Sequence, residues 1–220
     1  MKLALFDLDN TLLDGDSDYC WAQYLIERGV LSRDEYEKKN DWFYHHYKQG
    51  TLDIHAYLDF QLAPVAGRPR EVIDEWHREF METKIRPIVH AGTPALLDAH
   101  RGALRAIVTA TNRFITAPIA RELGVEHLIA CEVEETPDGR LTGRPAGTPS
   151  FREGKVARLH EWLASLGRRF EDFEETWFYS DSHNDLALLE RVSNPVAVDP
   201  DPTLEGLAKE RGWPILRLRA

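Results

Sequence analysis

The sequence predicts an α/β fold, with a Rossmann-like parallel sheet core and one inserted, all-helical cap domain. Short apolar runs without alternation recur along the chain, which is the pattern of strands buried on both faces of a parallel sheet. Helical start and stop signals separate these runs, and one long segment after the first run carries helical signals alone. A chain of 220 residues with 43% hydrophobic residues is also long enough to bury a core without disulfides.

The first strand and the insert lie at the start of the chain. The apolar run at residues 3–6 predicts the first strand. Helices are then predicted at residues 16–28, 32–49, 52–62 and 70–84. Ser32 and Glu35 have the spacing of a capping box at the start of the second of these helices. We therefore expect two domains, a core and a helical cap, at residues 1–13 with 88–220 and at residues 14–87.

From residue 88 onward strands and helices alternate, which indicates parallel strands joined by right-handed crossovers. The further strands are predicted at residues 104–108, 128–133, 176–179, 195–198 and 214–218. The helices are predicted at residues 93–102, 112–123, 155–166, 184–191 and from 201 onward. Thr93 is expected to be the N-cap of the first of these helices, with Pro94 at its first position. The Pro-Asp-Gly sequence at residues 137–139 predicts a turn between two extended arms.

Charge and cysteine usage exclude several classes of protein. Lys and Arg number 27 against 37 Asp and Glu, a net charge of −10 that would repel a phosphate backbone, so we expect no nucleic-acid partner. Two cysteines, Cys20 and Cys131, make no disulfide framework. No stretch approaches the roughly 18 apolar residues of a membrane span, and no secretory signal is visible. We expect a cytoplasmic protein without a membrane partner, and the sequence leaves its oligomeric state open.

Two aspartates, Asp7 and Asp9, directly follow the first predicted strand. Because side chains alternate along an extended chain, both carboxylates point to the same side. In open α/β sheets the carboxyl ends of the strands are where ligands bind. Two carboxylates held this close repel each other unless a cation or a shared proton relieves the repulsion. The alternative is a turn with two solvated aspartates.

Three other segments place polar side chains at predicted strand or helix ends. Thr109 ends the second predicted strand just before a helix, where free backbone N–H groups suit an anion. The alternative is that Thr109 or Thr111 merely caps that helix. Asp181 ends the strand at 176–179, and Asp185 follows four residues later. Lys155 starts a helix although lysines favour the last turn, and a solvated surface lysine is the alternative. Together these side chains are the inventory for Mg²⁺-assisted phosphoryl transfer, because oxygen ligands suit a hard divalent cation.

The four motifs occur in the order found in one known family. The chain resembles the haloacid dehalogenase superfamily of phosphohydrolases. The matching motifs are, in order, D-x-D-x-T at residues 7–11, Thr109, Lys155, and Asp181 with Asp185. Its insert resembles the cap of the first type, and the segment YSDSHNDL is similar to the phosphoserine-phosphatase-like branch, subfamily IB. The resemblance covers essentially the whole chain. It implies a Mg²⁺-dependent phosphomonoesterase that hydrolyses a small phosphorylated metabolite through an aspartyl-phosphate intermediate.

The resemblance also implies a catalytic role for each matching residue. Asp7 would attack phosphorus, and Asp9 would protonate the leaving alkoxide and later deprotonate the attacking water. Thr109, the Ala110 N–H and Lys155 would hold the phosphoryl group. These assignments rest on the match of motifs.

The remaining implied residues bind the metal or the substrate. The implied Mg²⁺ ligands are Asp7, Asp9 through its backbone carbonyl, Asp181 and Asp185. The implied substrate- or phosphate-binding residues also include Thr11, Asp16 and Asn184. In phosphoserine phosphatases a glutamate shortly after the first motif binds the substrate amino group, and the equivalent spacing here falls on Asp16, a shorter acid. The resemblance thus implies an amino-acid-like substrate of the histidinol phosphate or phosphoserine type. The shorter acid argues against phosphoserine itself, and the aromatic cap would suit the imidazole of histidinol phosphate.

Two other readings use the same residue types. A phosphotransferase or mutase of the same superfamily would pass the phosphoryl group to an alcohol, and the sequence does not distinguish it from a hydrolase. A receiver-like signalling protein, or a non-catalytic phosphate-binding protein, would belong to another class. Receiver domains lack both a large insert after the first strand and the acid/base position of Asp9, so the insert at residues 14–87 argues against them.

Overall fold

The computed structural model describes residues 1–219. Its strands are β1 (Lys2–Phe6), β2 (Leu104–Asn112), β3 (His127–Glu135), β4 (Leu141–Ala146), β5 (Glu175–Ser180), β6 (Asn194–Val198) and β7 (Ile215–Leu216). Within the described residues these form a single sheet of seven strands in the order β4-β3-β2-β1-β5-β6-β7. Neighbouring strands run parallel except β3 and β4, which form the hairpin predicted around residues 137–139. The predicted α/β fold with a parallel core is confirmed.

Strand β1 lies at the centre of the sheet, between β2 and β5. Its apolar side chains are fully buried on both faces. Leu3 and Leu5 pack into one hydrophobic cluster, and Ala4 and Phe6 pack into the other. This two-sided burial explains why the strand is apolar without alternation. Because β2 and β5 run parallel to β1, the residues after all three strands meet at the same edge of the sheet.

The helices in residues 1–219 fall into two groups. The insert contains α1 (Ser17–Glu27), α2 (Arg33–Lys48), α3 (Ile54–Leu62) and α4 (Arg70–Phe80). The remaining helices are α5 (Thr93–Asp98), α6 (Arg113–Glu122), α7 (Glu153–Ser165), α8 (Leu186–Leu189) and α9 (Pro202–Arg211). A search of the described helices finds none with the length and apolarity to cross a bilayer.

Several predicted boundaries differ from the structure. Helix α4 ends at Phe80 and continues as a π-helical turn at Met81–Ile85, where the prediction had one helix at 70–84. The helix predicted at 184–191 is a 3₁₀ turn at His183–Asp185 followed by the short α8. Strand β2 extends to Asn112, and β7 is only Ile215–Leu216. Helix ends and short edge strands carry weak local signals, so these are the places where a sequence pattern locates boundaries least well.

Two capping predictions are wrong. Ser32 does precede α2, but its hydroxyl makes no capping hydrogen bond, so the capping box with Glu35 is not formed. Thr93 is the first residue of α5 and not its N-cap, a position occupied by Gly92. The Thr93 hydroxyl instead donates a hydrogen bond of 2.7 Å to the Leu12 carbonyl. For Thr93 a tertiary contact, invisible to the local pattern, decides where the side chain points.

The chain enters and leaves the insert through adjacent backbone segments. Leu13 and Val89 form an isolated antiparallel bridge. The Asp14 N–H donates to the Ile88 carbonyl at 2.6 Å, and the His90 N–H donates to the Leu12 carbonyl at 3.2 Å. These bonds close the base of the insert, at the limits predicted for the cap. The division into core and cap domains itself stays a prediction.

The aromatic side chains of the insert have two destinations. Trp21 packs edge-on against Phe80 within the insert and against Phe114 of α6, with ring centroids 5.0 and 5.3 Å apart. These contacts join the insert to the sheet domain. A second group, which includes Phe43, Tyr47 and Tyr57, lines a cavity above the carboxyl edge of the sheet. The insert therefore roofs the region where the strand ends converge.

Candidate active site

A cavity of about 420 Å³ lies between the insert and the carboxyl ends of β1 and β2. Among the sequence-predicted site residues, its walls include Asp7, Asp9, Asp16, Thr109, Ala110, Lys155, Asn184 and Asp185. The structure thus brings together eight of the ten residues selected from the sequence. Thr11 and Asp181 lie behind this wall. A cleft of this size, with a few convergent polar groups, suits a small-molecule ligand.

Lys155 and two carboxylates form the centre of the site. The Lys155 Nζ donates to Asp7 Oδ1 at 2.8 Å and to Asp185 Oδ2 at 2.7 Å. All three residues are buried. Lys155 reaches them because it lies in the first turn of α7. The alternative of a solvated surface lysine is therefore excluded, and the buried ammonium is available to an anion that approaches Asp7.

Thr11 and Asp181, the two predicted site residues that do not line the cavity, contact each other. The Thr11 hydroxyl donates to Asp181 Oδ1 at 3.3 Å and accepts the Asp181 N–H at 3.1 Å. Thr11 is fully buried and does not line the cavity. Thr11 therefore contacts and positions Asp181, and its role in binding substrate or phosphate stays a prediction. Asp185 is held separately, because the Ser180 hydroxyl donates to its Oδ2 at 2.7 Å.

Asp9 is oriented by residues at the end of β2 and at the start of α1. Its Oδ2 accepts the Thr111 hydroxyl at 2.8 Å and the Thr109 hydroxyl at 3.4 Å, and its Oδ1 accepts the Ser17 N–H at 2.6 Å. Neither threonine caps the next helix, because Asn112 is the N-cap of α6 and accepts the Ile115 N–H. The capping alternative for these threonines is therefore wrong.

Two further acids, Asp16 and Asp18, line the cavity on the side of the insert. Asp16 is the N-cap of α1 and accepts the Tyr19 N–H at 2.9 Å. Asp18 lies in the first turn of the same helix. Both carboxyl groups therefore belong to the start of α1, whereas Lys155 belongs to the start of α7.

Asn184 joins the cavity to the insert. Its Nδ2 donates to the Tyr47 carbonyl at 3.2 Å, and its Oδ1 accepts the Arg152 Nε–H at 3.1 Å. The Arg152 guanidinium also donates to the Gly50 carbonyl just beyond α2. The Tyr47 hydroxyl donates to Ser182 at 3.1 Å. The end of α2 is thereby fixed over the site, and the predicted substrate-binding Asn184 has its side-chain amide engaged by protein groups.

Burial and mutual repulsion raise the pKa of three acids of the site, Asp7, Asp16 and Asp181. Burial raises the pKa of Asp7 to about 7, with Lys155 opposing the shift and Asp185 adding to it. Asp16 is partly accessible but lies inside the cavity, and this enclosure, with Asp9 nearby, raises its pKa to about 7. The pKa of Asp181 is raised well above its usual value by burial, and next by Asp7 and Asp185. The site therefore holds more carboxyl groups than its one buried lysine can neutralise.

This surplus of carboxylates fits a divalent cation. In the described part of the chain, no three His, Cys, Asp or Glu side chains converge as a complete metal cage. Mg²⁺ needs less, because it commonly uses one or two carboxylates and completes its shell with water and substrate phosphate oxygens. Asp7 and Asp181 supply oxygen donors of that kind, and Asp185 is already bonded to Lys155 and Ser180. The metal roles given to Asp7, Asp9, Asp181 and Asp185 stay predictions.

In Mg²⁺-free buffer, we expect the Asp7 and Asp16 carboxyls to make the protein less stable as the pH rises. Their folded-state pKa values of about 7 exceed the usual 3.8. The folded state therefore keeps their protons after the unfolded chain has lost them, and stability falls between about pH 4 and pH 7. Added Mg²⁺ should raise the Tm at about pH 8 more than at about pH 5.5, because protonated carboxyls bind it poorly.

Thermal melts with magnesium chloride, and with potassium chloride at equal ionic strength, test this expectation. Asp181→Asn is the informative variant, because it should lose part of both the pH slope and the Mg²⁺ response. Ion pairs elsewhere in the protein remain in this variant, so the difference isolates the site. An equal rise in Tm with Mg²⁺ at both pH values, or in both wild type and Asp181→Asn, would contradict the expected link between these carboxyls and the metal.

Sequence reasoning missed several residues that hold the site together. Ser180, Arg152 and Asn112 make bonds to predicted site residues or to Asp18. Ser180 carried a usable signal, since it ends β5 one residue before Asp181. Arg152 carried none, because its partners Asn184 and Gly50 lie 32 and 102 residues away along the chain. Long-range partners of this kind cannot be read from local spacing.

Comparisons with known proteins agree with the geometry. Residues 4–190 match the family model of haloacid dehalogenase-like hydrolases. The chain is 46% identical over 220 residues to the histidinol-phosphatase of Neisseria meningitidis serogroup C (strain 8013), and the alignment covers 99% of each protein. A crystal structure of a protein of unknown function from Bordetella pertussis Tohama I has a TM-score of 0.92 and 47% identity, with 99% of each chain covered. A substrate-bound phosphoserine phosphatase has a TM-score of 0.67 and 21% identity, covers 98% of this chain and 92% of its own, and shows the shared fold.

Proposed function

The chain belongs to the haloacid dehalogenase-like hydrolase family and is a phosphoric monoester hydrolase, and we propose that its substrate is histidinol phosphate. The observation that carries this proposal is the distribution of charge in the cavity. Lys155 and Asp7 lie together at one place in its wall, and Asp16 with Asp18 lies at another. A phosphate ester that also carries cationic nitrogen groups complements both. The 46% identity to a histidinol-phosphatase supports the same substrate.

The substrate's two kinds of charged group match two parts of the cavity. The phosphate would lie against Lys155, Thr109 and the Ala110 N–H at the carboxyl edge of the sheet. The α-amino group would lie against Asp16, whose proton it displaces, since an ammonium ion favours the ionised carboxylate. Phosphoserine shares the amino group but has no ring to meet the aromatic side chains of the insert. Phosphoserine should therefore be the poorer substrate.

Asp7 is the nucleophile of the proposed reaction. A carboxylate oxygen of Asp7 attacks phosphorus, the P–O bond to the alcohol breaks, and an aspartyl phosphate forms. Lys155 donates to Asp7 Oδ1 at 2.8 Å, so the ammonium is in place both to orient the carboxylate and to offset the charge of the phosphoryl oxygens. Mg²⁺ held by Asp7, the Asp9 carbonyl and Asp181, with Asp185 nearby, would neutralise further negative charge on those oxygens.

Asp9 serves as the acid and then the base. In the first step its carboxyl proton passes to the leaving alkoxide oxygen, which departs as the alcohol. In the second step Asp9 takes a proton from water as the water oxygen attacks phosphorus, and the aspartyl–phosphate bond breaks to release inorganic phosphate and the Asp7 carboxylate. Hydrogen bonds from Thr111 and Ser17 fix the Asp9 carboxyl for both transfers.

We expect histidinol phosphate to be hydrolysed with a kcat/KM above roughly 10⁴ M⁻¹s⁻¹ in Mg²⁺, at least tenfold above any other ester. The measurement is phosphate release from a panel of histidinol phosphate, phosphoserine, phosphothreonine, sugar phosphates and nucleoside monophosphates. EDTA should stop turnover, and excess Mg²⁺ should restore it. Efficient hydrolysis of phosphoserine with slow hydrolysis of histidinol phosphate would reject the proposed substrate and leave the phosphatase chemistry intact.

A further inference from the structure

Asp18 is a buried acid in the cavity wall that the phosphate chemistry does not use. Its side chain is only 2% exposed. Its Oδ2 accepts the Tyr57 hydroxyl at 3.2 Å, and its Oδ1 accepts the Asn112 Nδ2–H at 3.4 Å. Among the ion pairs of residues 1–219, none involves Asp18. A buried carboxyl without a cationic partner is costly, so its retention in a cavity wall points to a ligand group that it binds.

The two donors to Asp18 are themselves held in one orientation. Asn112 Oδ1 accepts the Ile115 N–H at 3.1 Å, which leaves the Asn112 NH₂ facing Asp18. The Tyr57 hydroxyl accepts Gln61 Nε2–H at 2.8 Å, which leaves its own hydrogen for Asp18. This network fixes the position of the Asp18 carboxyl. It also satisfies only part of the carboxyl's hydrogen-bonding capacity, since a carboxylate offers about four acceptor positions.

The network continues away from the cavity into the insert. Gln61 Oε1 accepts the Tyr36 hydroxyl at 2.6 Å. The Gln61 amide therefore cannot flip without losing its hydrogen bonds to both Tyr36 and Tyr57. The chain of bonds from Tyr36 through Gln61 and Tyr57 therefore ends on Asp18. Its free acceptor positions are the ones that remain for the cavity.

The surroundings of Asp18 favour a flat group over a simple amine. Tyr57 and Phe43 both line the cavity, with ring centroids 5.3 Å apart and planes at 67°. Two such rings offer apolar surface to a planar ligand, while a small ammonium group would leave that surface bare. Asp16 is more accessible and takes the amino group in the proposed function. Asp18 is left for a second nitrogen group.

We propose that Asp18 is a specificity residue that hydrogen-bonds the ring N–H of a planar nitrogen heterocycle, the imidazole of the substrate, beside Phe43 and Tyr57. This inference rests on the proposed function, because it assigns the ring of that substrate to one carboxyl group. It goes further by separating ring recognition at Asp18 from amine recognition at Asp16. Asp18 thus binds the substrate without touching the reacting phosphorus.

The protonation chemistry of the pair agrees with this assignment. Burial raises the pKa of Asp18 well above its usual value, and Asp16 and Asp9 add to the shift. Imidazole has an ordinary pKa of about 6.5. A carboxyl and an imidazole can therefore share one proton in either position, as acid with neutral ring or as carboxylate with imidazolium. A phenyl ring of similar size can do neither.

The test compares two substrates that differ only in the ring, histidinol phosphate and phenylalaninol phosphate. We expect the wild-type protein to prefer the imidazole compound. Asp18→Asn should lower the ratio of the two kcat/KM values roughly 10- to 100-fold, as expected for losing a hydrogen bond to a charged group, mainly through KM for histidinol phosphate. An unchanged ratio in folded Asp18→Asn would overturn the inference. A wild-type protein with no preference for histidinol phosphate would instead reject the proposed function.

Two more variants keep the test decisive. Asp59→Asn makes the same charge change on an exposed position of α3 and should keep the wild-type ratio. Tyr57→Phe removes one hydrogen bond to Asp18 and retains the ring, so the ratio should fall about 3- to 10-fold. If Asp18→Asn does not fold, Tyr57→Phe decides the matter, and an unchanged ratio in that variant overturns the inference.

Discussion

Asp7→Asn should abolish phosphate release, with kcat at least about 10⁴-fold below wild type, as expected when a covalent nucleophile is removed. The amide cannot form the aspartyl phosphate, although it occupies the same space. The fold should persist, because burial already holds the pKa of Asp7 at about 7, and a neutral side chain suits the position. At about pH 8 without metal, we expect the Tm of the variant to equal or exceed that of wild type.

The measurement is single-turnover phosphate release, paired with a thermal melt of the same sample. Asp14→Asn is a matched control, because Asp14 is an exposed acid near the site that pairs with Arg219 at 2.8 Å. That variant should keep its activity. A folded Asp7→Asn protein that turns over at the wild-type rate would refute Asp7 as the nucleophile.

Lys155→Met should damage both activity and stability. The variant removes the buried ammonium that contacts Asp7 and Asp185, and we expect kcat to fall by about 10³-fold, the effect of losing a group that stabilises transition-state charge. Two buried carboxyls are left without their cation, which costs about 3 kcal/mol of unfolding free energy. The pKa of Asp7 rises further without Lys155, so the folded state binds more protons, and the loss of stability is greater at high pH.

Urea unfolding at two pH values measures this loss, with Lys209→Met as the control. Lys209 makes an exposed ion pair with Glu205 at 2.8 Å, so its removal should change stability little. The prediction for Lys155 fails if its variant is as stable as the control variant at about pH 8, or if the loss of stability is larger at low pH.

The parts of the fold that a sequence can predict are those with a strong local pattern. The buried run at residues 3–6 and the proline after Asp201 located β1 and α9 within a residue or two. Thr93 and Ser32 show the opposite case. Each has the residue type of a cap, but the Ser32 hydroxyl makes no capping bond, and the Thr93 hydroxyl bonds the distant Leu12 carbonyl. Local propensity sets which conformations are available, and tertiary packing selects among them.

The residues of the candidate site likewise differ in whether a local sequence pattern predicts them. Asp7, Asp9 and Lys155 were predictable, because each sits at the end of a strand or the start of a helix, and parallel strands bring such ends together. Asp18 was not, because its importance comes from Tyr57, 39 residues further along the chain, and from Asn112. Thr11 was placed in the right region, but its partner Asp181 lies 170 residues away and could not be inferred from spacing.

The closed base of the insert has an evolutionary consequence. The chain departs after β1 and returns before α5 through backbone segments that are bonded to each other at Leu13–Val89 and Asp14–Ile88. The two ends of the insert are therefore held together by backbone bonds that do not involve the chain between them. Insertions that begin and end at neighbouring points are well tolerated by a fold. Selection can therefore change the insert, which contacts the substrate's side group, while the carboxyl edge of the sheet, which contacts the phosphate, stays the same. Specificity and chemistry can then evolve as separate traits of one chain.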